Sequence, residues 1–86
     1  MKHCLALATA LIVISTAAQA DSCYQLWYER NAIYDGHGFC FKSQLAKETF
    51  DNSDCHTSNV QLSPAEQRIV DQIKADEARL NCKVNR

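Results

Sequence analysis

The chain has 86 residues, with nine Lys or Arg and ten Asp or Glu, so its formal net charge at neutral pH is −1. The basic residues are scattered among the acidic ones and form no basic stripe, which excludes the electrostatic footprint of a nucleic-acid-binding protein. A chain of this size holds one domain with a small core, and such a domain needs disulfides or a metal for stability.

The first twenty residues have the pattern of a secretory signal peptide. Lys2 precedes a largely apolar run over 5–14, and small residues then lead to the A-x-A pattern of 18–20 that signal peptidase reads. An uncleaved membrane anchor is the weaker alternative, because the run is shorter than the roughly 20 apolar residues that span a bilayer. Lipid attachment at Cys23 is disfavoured, since Ala20, Asp21 and Ser22 precede it and the lipoprotein pattern commonly has leucine three positions before the cysteine. We predict a signal peptide over 1–20 and one domain over 21–86, exported to the periplasm or beyond, without a transmembrane span.

The cysteines fit an oxidising compartment. Cys4 leaves with the signal peptide, and Cys23, Cys40, Cys55 and Cys82 remain. An even number of cysteines in a small exported chain is typical of a disulfide framework, although three pairings are possible. We favour Cys40 with Cys55, which closes a local loop, and Cys23 with Cys82, which clamps the two ends of the domain. The loop-entropy estimate assigns roughly 3–4 kcal/mol to each bond.

The first predicted element is an aromatic helix that ends near Tyr34. Asp21 or Ser22 can cap its start. The turn over 35–38, Asp-Gly-His-Gly, contains two glycines and ends the helix. Apolar and aromatic side chains recur at the three- and four-residue spacing of a helix. These side chains are Tyr24, Leu26, Trp27, Tyr28, Ile33 and Tyr34.

A second, shorter helix is predicted over 39–52. It places Phe41, Leu45, Ala46 and Phe50 on its inward side. Turn formers follow over 51–54, and the connection over 55–61 is a polar loop.

The third predicted helix has the clearest start signal. Residues 63–66, Ser-Pro-Ala-Glu, form a capping box with proline at the first helical position, and the helix should end near Asn81. Its apolar stripe is Ile69, Val70, Ile73 and Leu80. Three ion pairs are predicted along its outer face: Arg68 with Asp71, Lys74 with Glu77, and Asp76 with Arg79. We expect Trp27 and Tyr34 of the first helix to pack on Ile69 and Ile73.

The first helix and its turn resemble the YARHG domain of bacterial exported proteins, which takes its name from a Tyr-Ala-Arg-His-Gly signature. Asp35 and Gly36 depart from it, because they stand where the signature has Ala-Arg. The resemblance implies a small exported helical domain to which no activity is attached. Matching positions near the signature are Leu26, Trp27, Tyr28, Arg30, Asn31, Tyr34, His37, Gly38, Cys40 and Phe41. Later matching positions are Phe50, Cys55, Leu62, Glu66 and Cys82.

Five side chains are candidates for a binding surface. Aromatic rings can stack on a sugar or a peptide, a guanidinium can pair with a carboxylate, and an imidazole can donate and accept hydrogen bonds. Each has a structural alternative: core packing for the three aromatic residues, pairing with Asp35 or Glu29 for Arg30, and a hydrogen-bonded plug that holds the turn for His37. The five candidates are Trp27, Tyr28, Arg30, Tyr34 and His37.

We predict no cofactor, no metal and no catalysis. Zinc needs three or four converging ligands, and His37, His56 and Asp54 would need a free thiolate that the disulfides remove. The disulfides equally leave no thiol nucleophile. A cavity that holds His37 with a carboxylate within hydrogen-bond reach would favour an enzyme instead.

The sequence therefore predicts an all-α, disulfide-stapled three-helix domain. We expect it to act as a monomeric, non-catalytic binding module of the bacterial cell envelope, with an envelope protein or a cell-wall polymer as partner. The alternative is a small inhibitor of an envelope enzyme such as a protease or lysozyme. A binding module should expose Tyr24, Tyr28, Arg30 or His37, whereas an inhibitor should project the loop over 52–61, held by the Cys40–Cys55 bond.

Overall fold

The computed structural model describes residues 16–84, with side chains from residue 21 onward. Over this part the chain forms three α-helices: α1 (Thr16–Gly36), α2 (Gln44–Thr49) and α3 (Pro64–Arg79). No β-strand occurs among the described residues. The predicted all-α, three-helix fold is confirmed. Within this same range no helix combines the length and the apolar character needed to cross a membrane. Residues 1–15 of the predicted signal peptide lie outside the described residues.

The start of α1 differs from the prediction. Asp21 and Ser22 lie inside the helix and do not cap it, because α1 already begins at Thr16 and continues across the predicted cleavage junction. The residues over 16–20 are rich in alanine, the strongest helix former, and they extend the helix toward the N-terminus.

The end of α1 is a turn that the glycines make possible. The N–H of His37 donates to the carbonyl of Tyr34, and the N–H of Gly38 donates to the carbonyl of Asp35, both at 3.0 Å. Gly38 adopts a φ of 81°, the left-handed conformation that commonly follows a helix end. The helix ends two residues beyond Tyr34, close to the predicted position.

The second helix is shorter than predicted. Residues 39–43 are not helical, because Phe39 forms a parallel bridge with Thr57 and the N–H of Cys40 donates to the Thr57 carbonyl at 2.8 Å. α2 starts after Ser43, whose hydroxyl accepts from the N–H of Ala46 at 3.2 Å. The predicted inward side is nevertheless right: Phe41, Ala46 and Phe50 are buried, and Leu45 is half-buried.

Asn52 fixes the extended segment before α2. Its Oδ1 accepts from the N–H of Phe41 at 2.9 Å, and its Nδ2 donates to the carbonyl of Phe41 at 3.1 Å. One side chain thus satisfies both backbone groups of a buried residue, as a neighbouring strand would do. The sequence shows Asn52 only as a turn former.

The capping box of α3 is confirmed. The hydroxyl of Ser63 accepts from the N–H of Glu66 at 3.1 Å, and Glu66 Oε1 accepts from the N–H of Ser63 at 3.0 Å. The helix ends at Arg79, two residues before the predicted end. Asn81 then turns the chain with a φ of 57°.

Two disulfides join Cys23 to Cys82 and Cys40 to Cys55, with Cα–Cα distances of 5.4 and 5.0 Å. These are the two favoured pairs. The first clamps the two ends of the domain across 59 residues, and the second closes a loop of 15 residues around α2. The second bond also holds Cys55, which follows α2, next to Cys40 in the aromatic segment that precedes α2.

The core lies mainly between α1 and residues 39–50, which we call the α2 segment. Trp27 is only 1% exposed and is clustered with Phe41, Ala46 and Phe50. Its ring centroid lies 6.0 Å from that of Phe50, which in turn stacks on Phe41 at 5.0 Å. The aromatic rings of the α2 segment therefore supply the packing that the sequence assigns to α3.

α3 contributes a smaller apolar contact to α1. Val70 and Ile73 are buried, whereas Ile69 is 52% exposed. The expectation that Ile69 lies inward is wrong, whereas Ile73, the other residue on which Trp27 and Tyr34 were expected to pack, is buried. The ring of Tyr34 packs on Phe39, with centroids 5.7 Å apart.

Three links in reverse order show that α1 and α3 are antiparallel. They are Cys23 with Cys82, Arg30 with Glu77, and His37 with Glu66. The three members on the α1 side stand seven residues apart, so they lie along one face of that helix and its continuation.

Candidate functional site

Two exposed tyrosines form an aromatic face on α1. Tyr24 is 42% exposed and Tyr28 is 41% exposed, and their ring centroids lie 6.4 Å apart because the two residues are one helical turn apart. Each ring rests on a core ring: Tyr24 lies 5.4 Å from Trp27, and Tyr28 lies 5.2 Å from Phe50. The aromatic face, Tyr24 with Tyr28, is thus exposed and held in place from below.

The other two aromatic candidates do not reach this face. Trp27 is buried, as expected for a core residue, and it acts as the support of Tyr24. Tyr34 is half-buried and packs on Phe39 at the opposite end of α1. Of the three predicted aromatic candidates only Tyr28 presents its ring to solvent, and Tyr24 completes the surface.

Arg30 is engaged inside the domain. Its Nε donates to Glu77 Oε1 at 2.9 Å, and its Nη2 donates to Glu77 Oε2 at 3.1 Å. The two side chains are only 19% and 15% exposed, so the pair is largely shielded from water. Neither Asp35 nor Glu29 is the partner, and Glu77 pairs with Arg30 in place of the predicted Lys74. The bidentate geometry makes this pair a specific link between α1 and α3.

The outer face of α3 carries one of the three predicted ion pairs. Arg79 donates to Asp76 at 3.3 Å, as predicted. Asp71 accepts from Gln67 at 2.9 Å, where the prediction had Arg68. These contacts lie at the surface, where they contribute little to stability.

His37 lies against the N-terminus of α3. Its Nε2 is 3.0 Å from both oxygens of Glu66, and it carries the ring proton because a charged carboxylate can only accept. The backbone N–H of Ser63 is the main cause of a lowered Glu66 pKa, and the hydrogen bond from His37 lowers it further. The Glu66 carboxylate therefore completes the capping box and ties the turn after α1 to the start of α3.

A cavity of about 420 Å³ opens beside His37. His56 and Thr57 line it together with residues 59–61. The ring of His56 covers Gly38 so closely that a Cβ at Gly38 would overlap with His56 Nε2. A cavity next to a histidine–carboxylate pair is the geometry named above as favouring an enzyme. The hydroxyl that lines it, on Thr57, accepts a hydrogen bond from the N–H of Asn59 at 3.0 Å.

The residues considered for a metal do not converge. Among the side chains described, from residue 21 to residue 84, no three His, Cys, Asp or Glu groups are arranged to hold a metal ion. His37 uses its Nε2 on Glu66, and all four cysteines of the domain are in disulfides.

Comparison with protein families shows to which family the chain belongs. The family model described as YARHG domain matches residues 2–78. The chain belongs to the YARHG domain family. The match covers α1, α2 and nearly all of α3, and it ends before Cys82. Neither the curated proteins nor the solved structures contain a significant match to the chain.

The signature positions of this YARHG domain have structural roles. The Tyr34 carbonyl accepts the hydrogen bonds that close the turn, His37 binds Glu66, and Gly38 supplies the left-handed conformation under the ring of His56. The departures at Asp35 and Gly36 leave the turn intact, since a Cβ added at Gly36 would meet no atom within 4 Å. This variant of the signature therefore preserves the turn without the usual arginine.

Sequence reasoning missed Glu66 and Glu77 as the partners of His37 and Arg30, and Asn52 as the residue that holds Phe41. The partner residues stand 29 and 47 positions away along the chain. The Cys23–Cys82 bond was the available signal. The Cys23–Cys82 bond pairs the two ends, and the helices are antiparallel. Arg30, seven residues after Cys23, should therefore lie opposite a residue about seven positions before Cys82, which is close to Glu77.

Proposed function

We propose that the protein is an exported, non-catalytic binding module whose ligand contacts the aromatic face, Tyr24 with Tyr28. The exposure of both rings, each supported by a core ring, is the observation that carries the proposal. Aromatic side chains fixed before binding lose little conformational entropy when a ligand arrives, which is why they are common at binding hot spots. Membership of the YARHG family and the two disulfides support the export of the chain.

The chemistry of the aromatic face suits a ligand with flat apolar faces and hydrogen-bonding groups. Gln25 and Glu29 occupy the same exposed stretch of α1 and are joined by a hydrogen bond of 3.3 Å. They add polar donors and acceptors beside the two rings. A cell-wall polymer, whose sugar rings stack on aromatic residues, or a peptide segment of an envelope protein has this character.

The His37–Glu66 pair has a structural explanation that requires no reaction. Glu66 accepts from the Ser63 N–H and from His37 at once, so the pair joins the turn after α1 to the start of α3. We therefore assign His37 the role of a clamp.

Retention on defined baits tests the proposal. The oxidised protein, purified after export, is incubated with isolated peptidoglycan and, separately, is immobilised to capture partners from envelope extract. We expect retention by one bait, and loss of retention in a Tyr24→Ser, Tyr28→Ser variant. Ile69→Ser is the matched control, because Ile69 is an exposed apolar side chain on α3. Thermal melts establish that both variants fold.

Two outcomes would contradict the proposal. One is retention by neither bait, and the other is equal loss of retention in the tyrosine variant and the Ile69→Ser control. The clamp assignment for His37 has its own test: a His37→Gln variant that lost an activity while the melting temperature and retention stayed unchanged would favour catalysis.

A second candidate, inhibition of an envelope enzyme, rests on the rigidity of the loop over 52–61. The Cys40–Cys55 bond, the Asn52 side chain and the bridge between Phe39 and Thr57 hold this loop. Ser53, Asp54 and Ser58 are exposed on it. A loop fixed in advance is what an inhibitor presents to an enzyme cleft.

Inhibition assays distinguish the two candidates. If the loop carries the function, the oxidised protein inhibits a lysozyme or an envelope protease, and Asp54→Arg with Ser58→Arg abolishes inhibition while the tyrosine variant retains it. If the aromatic face carries the function, no enzyme is inhibited and the loop variant is retained on the bait as the unchanged protein is.

A further inference from the structure

A concave surface lies where the chain leaves α3 and returns to α1. It has a volume of about 510 Å³, and we call it the C-terminal cleft. Its size is within the range of pockets that hold small molecules. It shares no residue with the aromatic face. The residues that matter to its chemistry are Arg30, Lys74, Glu77, Asn81, Lys83 and Val84.

The floor of the C-terminal cleft is covalently and conformationally fixed. Asn81 reverses the chain with its left-handed backbone, and the N–H of Cys82 donates to the carbonyl of Glu77 at 2.9 Å. Cys82 is bonded to Cys23 of α1, and the next residue but one, Val84, packs against the core. Lys83 is therefore carried by a segment that is anchored on both sides.

The cleft is positively charged in a chain that is slightly acidic overall. Among the described residues, three basic side chains line it, Arg30, Lys74 and Lys83, and Glu77 is the single carboxylate. Arg30 and Glu77 neutralise each other through two hydrogen bonds. Lys74 and Lys83 are exposed and have no ion-pair partner among residues 21–84. The local charge is therefore about +2 against −1 for the whole chain.

The end of α3 does not oppose an anion as strongly as a bare helix C-terminus would. Its last carbonyls accept hydrogen bonds from the following turn: Asp76 from Leu80, Glu77 from Cys82, and Ala78 from Asn81. These oxygens are the ones that carry the negative end of the helix dipole. Because backbone N–H groups cover them, the two lysines determine the sign of the field in the cleft.

We infer that the C-terminal cleft binds a small polyanion with two or more carboxylate or phosphate groups, which pair with Lys74 and Lys83. Arg30 also lines the cleft, and its N–H groups that Glu77 does not use are further hydrogen-bond donors there. The methylene stems of the lysines and Val84 give the cleft an apolar side next to these contacts. The site is independent of the aromatic face, so a ligand of one face does not require a ligand of the other.

Citrate and pyrophosphate are the probes, because they carry similar negative charge on carboxylate and phosphate groups respectively. Each is titrated into the oxidised protein while backbone amide signals are recorded by NMR. We expect saturable shifts at residues 81–84 that weaken with added salt. Shifts with citrate alone identify a carboxylate ligand, shifts with pyrophosphate alone identify a phosphate ligand, and shifts with both support the shared site.

Variants locate the site. Lys74→Gln with Lys83→Gln is expected to weaken binding at least about ten-fold, because the variant loses the two positive charges that pair with the anion at short range. The matched control is Lys42→Gln with Lys47→Gln, two exposed lysines outside the cleft, for which the affinity should stay within about two-fold. The Tyr24→Ser, Tyr28→Ser variant should bind the polyanion unchanged, which separates this site from the proposed function.

The inference is overturned if neither probe gives a saturable shift at residues 81–84 up to about 10 mM. It is also overturned if the control lysine variant loses as much affinity as the cleft variant. Since Lys74 and Lys83 are exposed, their replacement leaves the fold intact, and a thermal melt confirms this before the titration.

Discussion

The two sides of α1 are held to the rest of the domain in different ways. Toward the α2 segment, Trp27 contributes to a continuous aromatic cluster in which many contacts share the stabilisation. Toward α3, three discrete links at Cys23, Arg30 and His37 carry much of the connection. An apolar cluster repacks when one member changes, whereas a discrete link is lost as a whole. The fold therefore depends on individual residues far more on the α3 side.

The largest effect should follow the removal of the end clamp. Replacing Cys23 and Cys82 with serine opens a loop of 59 residues and should reduce the free energy of unfolding by about 4 kcal/mol. The Cys40→Ser, Cys55→Ser variant opens a loop of 15 residues and should cost about 3 kcal/mol. Urea unfolding followed by tryptophan fluorescence measures both. Equal or reversed losses would show that the clamp is not the dominant link.

The next effect tests a discrete contact on the aromatic side, the Asn52 side chain. Asn52→Ala leaves the N–H and the carbonyl of Phe41 without partners and should cost about 1–3 kcal/mol. Asn52→Asp keeps the acceptor for the N–H and should cost less. Urea unfolding compares the two variants, and a loss below about 0.5 kcal/mol for Asn52→Ala would mean that water replaces the side chain.

A smaller effect is expected at the ion pair between α1 and α3. Arg30→Met leaves Glu77 unpaired in a partly buried site and should cost about 1–2 kcal/mol. Arg30→Met combined with Glu77→Leu should recover most of that loss, because both charges are then absent. A double-mutant cycle in urea gives the coupling energy directly. A coupling energy near zero would show that this pair contributes no more to stability than a surface contact does.

The smallest effect should appear as a pH dependence at Glu66. Its pKa in the folded domain is lowered, first by the Ser63 N–H and then by His37, so the charged form is favoured by folding. The contribution of charged Glu66 to the free energy of unfolding is complete above the ordinary carboxyl pKa of 4.5. It is lost as the pH falls through the lower pKa of the folded domain. Glu66→Gln should flatten the fall of the melting temperature in that acidic range. An unchanged acid profile in the variant would contradict the assignment.

Local signals in the sequence predicted local structure well. The capping box at Ser63 and Glu66 needs only a four-residue pattern, and the glycine turn at Gly38 needs only a short one. The inward residues of α2 follow from spacing within a few positions. The cysteine pairs could be favoured because few combinations exist. Each of these inferences depends on residues that act near one another in the chain, or on a very small set of possibilities.

The rotation of α3 could not be predicted, because its inward stripe is partly charged. Glu66, Val70, Ile73 and Glu77 stand at intervals of four, three and four residues and form one face toward α1. Choosing apolar positions alone brings in Ile69, which the structure leaves outside. The two glutamates lie inward because Arg30 and His37 meet them there, and those pairings are visible only in three dimensions.

The extended conformation of residues 39–43 was not predicted, for a related reason. Its partner, Thr57, stands far along the chain, and the Cys40–Cys55 bond brings the two together. The helical spacing of Phe41 with Leu45 is real, but it continues into a segment that tertiary hydrogen bonds hold extended. The aromatic face of the candidate site was predictable from spacing, whereas the cleft at residues 81–84 arises only from the folded return of the chain.

The close contact between Gly38 and His56 couples two positions that stand eighteen residues apart. A side chain at position 38 would have to adopt a left-handed backbone and would also enter the ring at position 56. In a related chain, the first position can therefore change only after the second has become small. Aligned sequences of such chains should show these two positions varying as a pair, with an accessible order in which the histidine is replaced first.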